Sequence, residues 1–253
     1  MKASAMPAMQ TPVAITKSVE CASRPRSSPC GSAERMDAVL CATPTLVAEP
    51  LAPGDPVAIG FDGSRTHDAT AVVAVHMLTG TAHLLGYWER PPGLPKKQAW
   101  DVPRGEVTAV VDQAFRMFHV ARMKADPSHW QDELAGWKQT WTAQVVDRFP
   151  VWQTSVTDQA VEAAQTALAS GALRLSAGAE SAILVAHAQR AQVVRRQVGA
   201  RLMRNLAKPE DSSRIDAAAA LVYAWQARME ATARGWQEPA PAPLAPEPFM
   251  VLG

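Results

Sequence analysis

From Pro56 onward the chain settles into apolar runs broken by turn residues. VAIGF (Val57 to Phe61) is short, apolar and closed by Asp62-Gly63, which predicts a buried strand. ATAVVAVHML (Ala69 to Leu78) is rich in β-branched residues, and AHLLGYW (Ala82 to Trp88) follows a Thr79-Gly80 turn, so the three runs predict an antiparallel meander. Past a Pro/Lys loop at Pro91 to Lys97 the period lengthens. Val107, Val110, Val111, Ala114, Phe115 and Phe118 recur at helical spacing, predicting a helix over Pro103 to Phe118 that crosses back to a strand at Val120 to Ala125. Pro127, at a first helical position, opens a helix carrying Trp130, Leu134 and Trp137. Ala143 to Phe149 reads as a fifth strand, Thr157 to Ala169 as a helix ended by Gly171, and Leu173 to Leu175 as a short extended piece. Ser181 to about Ala207 and Ser213 to about Ala233 complete the chain as two helices. Strands first, then strands alternating with helices, describe a mixed α/β sheet with helices on its faces.

The flanks show neither period. Residues 1–50 mix Ser, Pro, Thr and Ala, and from Gly235 alternating prolines forbid helix, so the expectation is a tail or linker at 1–50, one folded domain at 51–233 and a Pro-rich tail at 234–253. A formal net charge of +1 gives no global pull toward a polyanion, so any such partner must meet a local basic patch. Cys21, Cys30 and Cys41 are odd in number and lack close pairing, which supports neither a zinc site nor a disulfide framework. With no apolar stretch long enough to span a bilayer and no leader-like apolar region, the expectation is a soluble intracellular protein with no membrane partner.

Three aspartates fall at element ends: Asp62 after the first strand, Asp126 after the strand that follows the first helix, and Asp216 in the first turn of the last helix. Side chains at strand C-termini converge on one edge of an open α/β sheet, and a third acid from a helix packed across that edge would complete a carboxylate cluster. Such a cluster suits Mg²⁺ or Mn²⁺, and two ions about 3.5 to 4 Å apart can activate water and stabilise the leaving oxygen in phosphodiester cleavage. Each aspartate also has a purely structural reading. Asp62-Gly63 fits a turn, Asp126-Pro127 a helix N-cap, and Ser213-Arg214-Ile215-Asp216 a capping box.

The stretches GFDGSRTHDAT (Gly60 to Thr70), ADPSHWQDELAGW (Ala125 to Trp137) and RIDAAAALVYAW (Arg214 to Trp225) together resemble the nuclease domain of the large terminase subunit of tailed bacteriophages. Their order and spacing, with TDQAVEAAQTALASGALRLS and HAQRAQVVRR between them, extend the resemblance over roughly residues 50 to 230. The resemblance implies an RNase H-like fold, here a mixed five-stranded sheet with helices on both faces. It also implies a metal-dependent endodeoxyribonuclease that cleaves concatemeric double-stranded DNA during genome packaging in the host cell cytoplasm. Matched position by position, Asp62, Asp126 and Asp216 would hold two Mg²⁺ or Mn²⁺ ions. Asp68 also matches, with shaping of the turn as its alternative; Lys208 could steady phosphate or the site, although a solvated lysine ahead of Pro209 is the commoner case, and His187 falls at a family-like position where a packed or capping role is commoner. The implied partners, besides DNA, are a motor ATPase domain, a small terminase subunit and the portal.

The chain carries no G-x-x-x-x-G-K-[ST] phosphate loop, so the expectation is a nuclease half without the motor, either separately encoded, truncated or expressed as a domain, with no translocation of its own. The alanine-rich AAAAL after Asp216 also fits a degraded remnant. Between Ser181 and Lys208 the chain carries Arg190, Arg195, Arg196, Arg201, Arg204 and Lys208 without a single acid: on a continuous helix Arg190, Arg201, Arg204 and Lys208 form a narrow stripe able to follow DNA phosphates, unless Gly199 breaks it or the stripe is only a solvated flank. Trp88, Trp100, Trp130, Trp137 and Trp141 fit core positions better than base stacking. The alternatives are another RNase H-like nuclease of resolvase or transposase type, and an inactive DNA-binding or packaging fragment.

Overall fold

The computed structural model describes residues 35–65, 68–95, 97–210 and 213–238. In chain order the elements are β1 (Arg35–Val39), β2 (Leu46–Val47), β3 (Pro56–Asp62), β4 (Thr70–His76), β5 (Thr81–Trp88), α1 (Arg104–Met117), β6 (His119–Ala125), α2 (Gln131–Trp141), β7 (Val146–Arg148), α3 (Thr154–Ser170), β8 (Arg174–Ser176), α4 (Ala182–Arg190), β9 (Gln192–Val198), β10 (Arg201–Ala207) and α5 (Asp216–Ala233). The main sheet runs β2-β8-β5-β4-β3-β6-β7. β3, β4 and β5 form the antiparallel meander, and β6 lies parallel to β3. A parallel neighbour requires a crossover, and α1 supplies it. The five expected strands are all present, and β8 and β2 lengthen the sheet by two short strands.

Alternation along β3 feeds two cores. Val57, Ile59 and Phe61 pack with Val107 and Val111 of α1, Met123 of β6, and Trp130, Leu134 and Trp137 around α2. The other face packs Ala71, Val73 and Val75 of β4 against α3, α4 and α5. With both faces covered, the central strands read as unbroken apolar runs. α5 is buried nearly all round, and its alanines have a packing role: a β-carbon on Gly60 of β3 would overlap the Ala220 carbonyl oxygen and the Ala224 amide nitrogen. Small residues on both sides let helix and strand meet backbone to backbone. Trp130 and Trp137 meet Phe61 edge to face at 5.0 and 5.3 Å, so these indoles belong to the core.

Folded structure begins before the expected boundary at residue 50. β1 pairs with β9, β2 pairs with β8, and Leu40 and Cys41 are buried. Strands of five and two residues are too short for a period to register. Cys41 is a free thiol, while Cys21 and Cys30 lie outside the described residues, as does most of the expected N-terminal tail. At the other end Trp236 packs beside Ala58, Met77, Ala227 and Ala231, and residues 239–253 lie outside the described residues.

The long helix expected from Ser181 to about Ala207 does not form. α4 ends at Arg190, and β9 and β10 make an antiparallel hairpin that turns at Gly199, where φ is 60°. Val193 and Val194 are buried, so the β-branched pair in QVVRRQV outweighs the helical spacing of the arginines. The basic stripe is therefore divided between elements. Arg190 ends α4, Arg201 is exposed at the start of β10, and Arg204 is tied to Asp158 at 3.0 Å and Glu162 at 2.7 Å. α2 likewise starts at Gln131 and not at Pro127, because Ser128 N–H donates to Asp126 Oδ1 at 2.9 Å in a side-chain turn and His129 takes φ 64°. Asp216 is the first residue of α5 rather than its third, with Ile215 at the cap, so no capping box forms. Among the described residues no helix is long and apolar enough to cross a membrane.

Candidate metal centre

Parallel pairing places Phe61 of β3 opposite Ala125 of β6, so the next residues, Asp62 and Asp126, leave the sheet side by side at one edge. The Asp126 N–H donates to the Phe61 carbonyl at 3.0 Å, carrying the pairing one residue past the strand. α5 crosses the same face with its N-terminus at this edge, which brings in Asp216. Asp62, Asp126 and Asp216 line one cleft of about 350 Å³, together with Asp68, Lys208 and Tyr223. Arg190, Arg201 and Arg204 lie outside that lining.

The loop between β3 and β4 is braced from within. Ser64 N–H donates to Thr70 Oγ1 at 3.0 Å, the Trp130 indole donates to the Ser64 carbonyl at 3.3 Å, and Asp68 N–H donates to Ser64 Oγ at 3.1 Å. Asp68 in turn accepts from Lys208 Nζ and lies 3.5 Å from the Arg214 guanidinium. Opposite, Ala217 N–H, a donor in the first turn of α5, bonds His187 Nδ1 at 3.1 Å. Burial, with Arg190 and Arg214 nearby, pushes His187 down to about 4, so it stays a neutral acceptor that seats the residue next to Asp216. The capping reading of His187 is the one its contacts support.

Burial is also the largest effect on the acids. It drives Asp62 well above the ordinary carboxylate range, with Asp216, Asp126 and Asp68 repelling its charge and Lys208 partly offsetting them. Asp216 is pushed up to about 6 by burial; its own backbone N–H, Lys208 and Arg214 pull the other way, and Asp68 adds repulsion. Tyr223, stacked on Phe149 at 4.1 Å, is raised far above its usual value by burial and by Asp62, Asp126 and Asp216, so its hydroxyl stays uncharged. Tyr223 follows Asp216 by seven residues, two helical turns, which is the spacing that could have revealed it from sequence.

These shifts fix the pH dependence of the ion-free protein. A carboxyl raised on folding contributes stability below its unfolded value, and that contribution disappears as pH rises through the folded value. For Asp216 the rise from 3.8 to about 6 corresponds to about 3 kcal/mol, lost between about pH 4 and pH 7. Urea denaturation in EDTA is expected to show Asp216→Asn gaining stability relative to wild type by that amount between pH 4 and pH 8. A difference independent of pH would contradict the shift.

Asp216 is 5% exposed, and its Oδ2 is buried without a hydrogen-bond partner. An unpaired buried carboxylate oxygen among other acids is costly unless a cation meets it, so the donor set fits a hard divalent ion. Among the described residues no group of three or more His, Cys, Asp or Glu side chains is placed so that it could hold a metal ion.

No family model matches the chain. The Gene 13 protein of Mycobacterium phage L5 is 33% identical over 92 residues, 36% of this chain and 15% of that protein. The Gene 13 protein of Mycobacterium phage D29 is 32% identical over the same length. The match spans about 15% of the length of these curated relatives. The crystal structure of the HK97 bacteriophage large terminase superposes with a TM-score of 0.56 at 18% identity, covering 74% of this chain and 41% of that one. Over that span this chain shares the fold of part of the HK97 protein. The large terminase nuclease from thermophilic phage G20c, crystallised with bound magnesium, aligns at a TM-score of 0.49 with 13% identity, over 74% of this chain and 93% of that chain. The mixed α/β sheet with helices on its faces expected from the sequence is the architecture observed, and Asp62, Asp126 and Asp216 line one cleft at its edge.

Proposed function

We propose that this chain is a divalent-metal-dependent endonuclease that cuts double-stranded DNA during phage genome packaging. The observation that carries the reading is the unpartnered, buried Asp216 Oδ2 in a cleft shared with Asp62 and Asp126. These three aspartates would hold two Mg²⁺ or Mn²⁺ ions. Ions bound there supply an activated water and stabilise charge on the scissile phosphate and the departing 3′ oxygen.

The chain's own residues do the rest. Asp62 and Asp126 are fixed by the ladder beneath them, and Asp216 by the seating of α5. His187 holds the first turn of α5 without adding charge, and the protonated Tyr223 gives the cleft lining a neutral hydroxyl. Lys208 puts a cation beside the acids, where it can oppose phosphate charge. Within packaging, this reading gives the chain a motor ATPase, a small terminase subunit and the portal as partners.

The test is conversion of supercoiled plasmid to open-circular and linear forms by purified protein with Mn²⁺, Mg²⁺ or EDTA. Cutting with either ion and none in EDTA is expected. A folded protein that leaves plasmid intact under every ion condition overturns the reading.

A further inference from the structure

Asp68 stands apart from the other cleft acids because it is already paired. Lys208 Nζ and the Arg214 guanidinium both turn toward Asp68 Oδ1, although the Asp216 carboxylate, with an unpartnered oxygen, lines the same cleft. Lys208 follows β10 and Arg214 lies two residues before α5, whereas Asp68 comes from the loop after β3, so the pairing joins two separate connectors. All three side chains keep contact with water, at 42% exposure for Asp68, 26% for Lys208 and 25% for Arg214. Ion pairs at that exposure are weak and exchangeable. A backbone phosphate entering the cleft offers the same two cations an anion with several acceptor oxygens.

We propose that Asp68 is a built-in phosphate mimic: it holds Lys208 and Arg214 in the DNA-free protein, and the DNA backbone takes both cations from it on binding. The inference rests on the nuclease reading and names the group that the cleft grips. Asp68 is then a positioning residue that presets the two cations and competes with substrate for them. Two opposite effects follow. Removing the competitor tightens DNA binding, and removing either cation weakens it.

Binding of a short, fluorescently labelled blunt duplex in EDTA separates this from catalysis. Asp68→Asn is expected to bind about three- to tenfold more tightly than wild type, the range set by loss of competing exposed ion pairs. Lys208→Gln and Arg214→Gln are expected to bind more weakly, each lowering the slope of log Kd against log salt by about one, while Lys208→Arg keeps the slope. In a Lys208→Gln/Arg214→Gln background the Asp68→Asn gain should vanish. An equal gain in that background would mean that Asp68 only repels DNA by its charge, and would overturn the exchange. So would a folded Asp68→Asn protein, checked by its circular dichroism melt, that binds no better than wild type. If wild-type protein cuts plasmid but Asp68→Asn shows no gain, the exchange fails and the nuclease reading stands; if wild type neither binds nor cuts, both fail.

Discussion

Asp216→Asn is expected to lower the initial rate of Mn²⁺-dependent plasmid cutting by at least about a hundredfold, since even the groups that merely orient metal ligands are worth 10- to 100-fold. Asparagine keeps the shape and one acceptor oxygen but removes the charge. The ion-free variant should also be more stable than wild type near neutral pH, because the raised carboxyl no longer has to ionise in a buried site. Activity and stability therefore move in opposite directions, so that unfolding cannot explain the lost cutting. Asp62→Asn and Asp126→Asn are expected to lose cutting similarly. A folded Asp216→Asn protein that cuts within about threefold of wild type would remove Asp216 from the centre.

Gly60→Ala is expected to destabilise the protein by more than about 4 kcal/mol, in the range reserved for severe core disruption. The added methyl would lie within the backbone of α5, at the Ala220 carbonyl and the Ala224 amide, and neither strand nor helix backbone can swing aside as a side chain can. Relief requires the helix to lift from the sheet, exposing the alanine-rich face buried there. Gly136→Ala is the control: it lies inside the exposed part of α2 with nothing within 4 Å of the added carbon, and should gain up to about 1 kcal/mol from helix propensity alone. Urea midpoints of the two variants measure both. A Gly60→Ala midpoint near wild type would show that α5 does not need its close seat on β3.

The central strands were legible because burial on both faces makes them continuous apolar runs ended by turn residues, and β3, β4, β5 and β6 lie within a residue or two of where those runs place them. Asp62, Asp126 and Asp216 were legible as ends of elements. The hairpin of β9 and β10 was not, because its arginines fall by coincidence at helical spacing and only the buried Val193 and Val194 reveal its pleat. The short strands β1 and β2 take their place from partners far along the chain, which no local period encodes. The pairing of Lys208 with Asp68 spans 140 residues and became visible only once the fold brought both to one cleft. His187 needed the same step, since its role depends on a backbone N–H in another helix.

The seat of α5 on β3 links scaffold to chemistry. Asp216 stands one turn before Ala220, Ala220 rests on Gly60, and Gly60 precedes Asp62 by two residues. The span between two of the acids is therefore inherited from an apolar contact that carries no chemistry, whereas Asp68, Lys208 and Arg214 sit on connectors. Such a division lets the connectors diverge toward new DNA surfaces, partners or sequence contexts without retuning the distance on which the ions would depend. In an engineered version, the connectors are the place to change what is gripped, and the helix seat is the place to leave untouched.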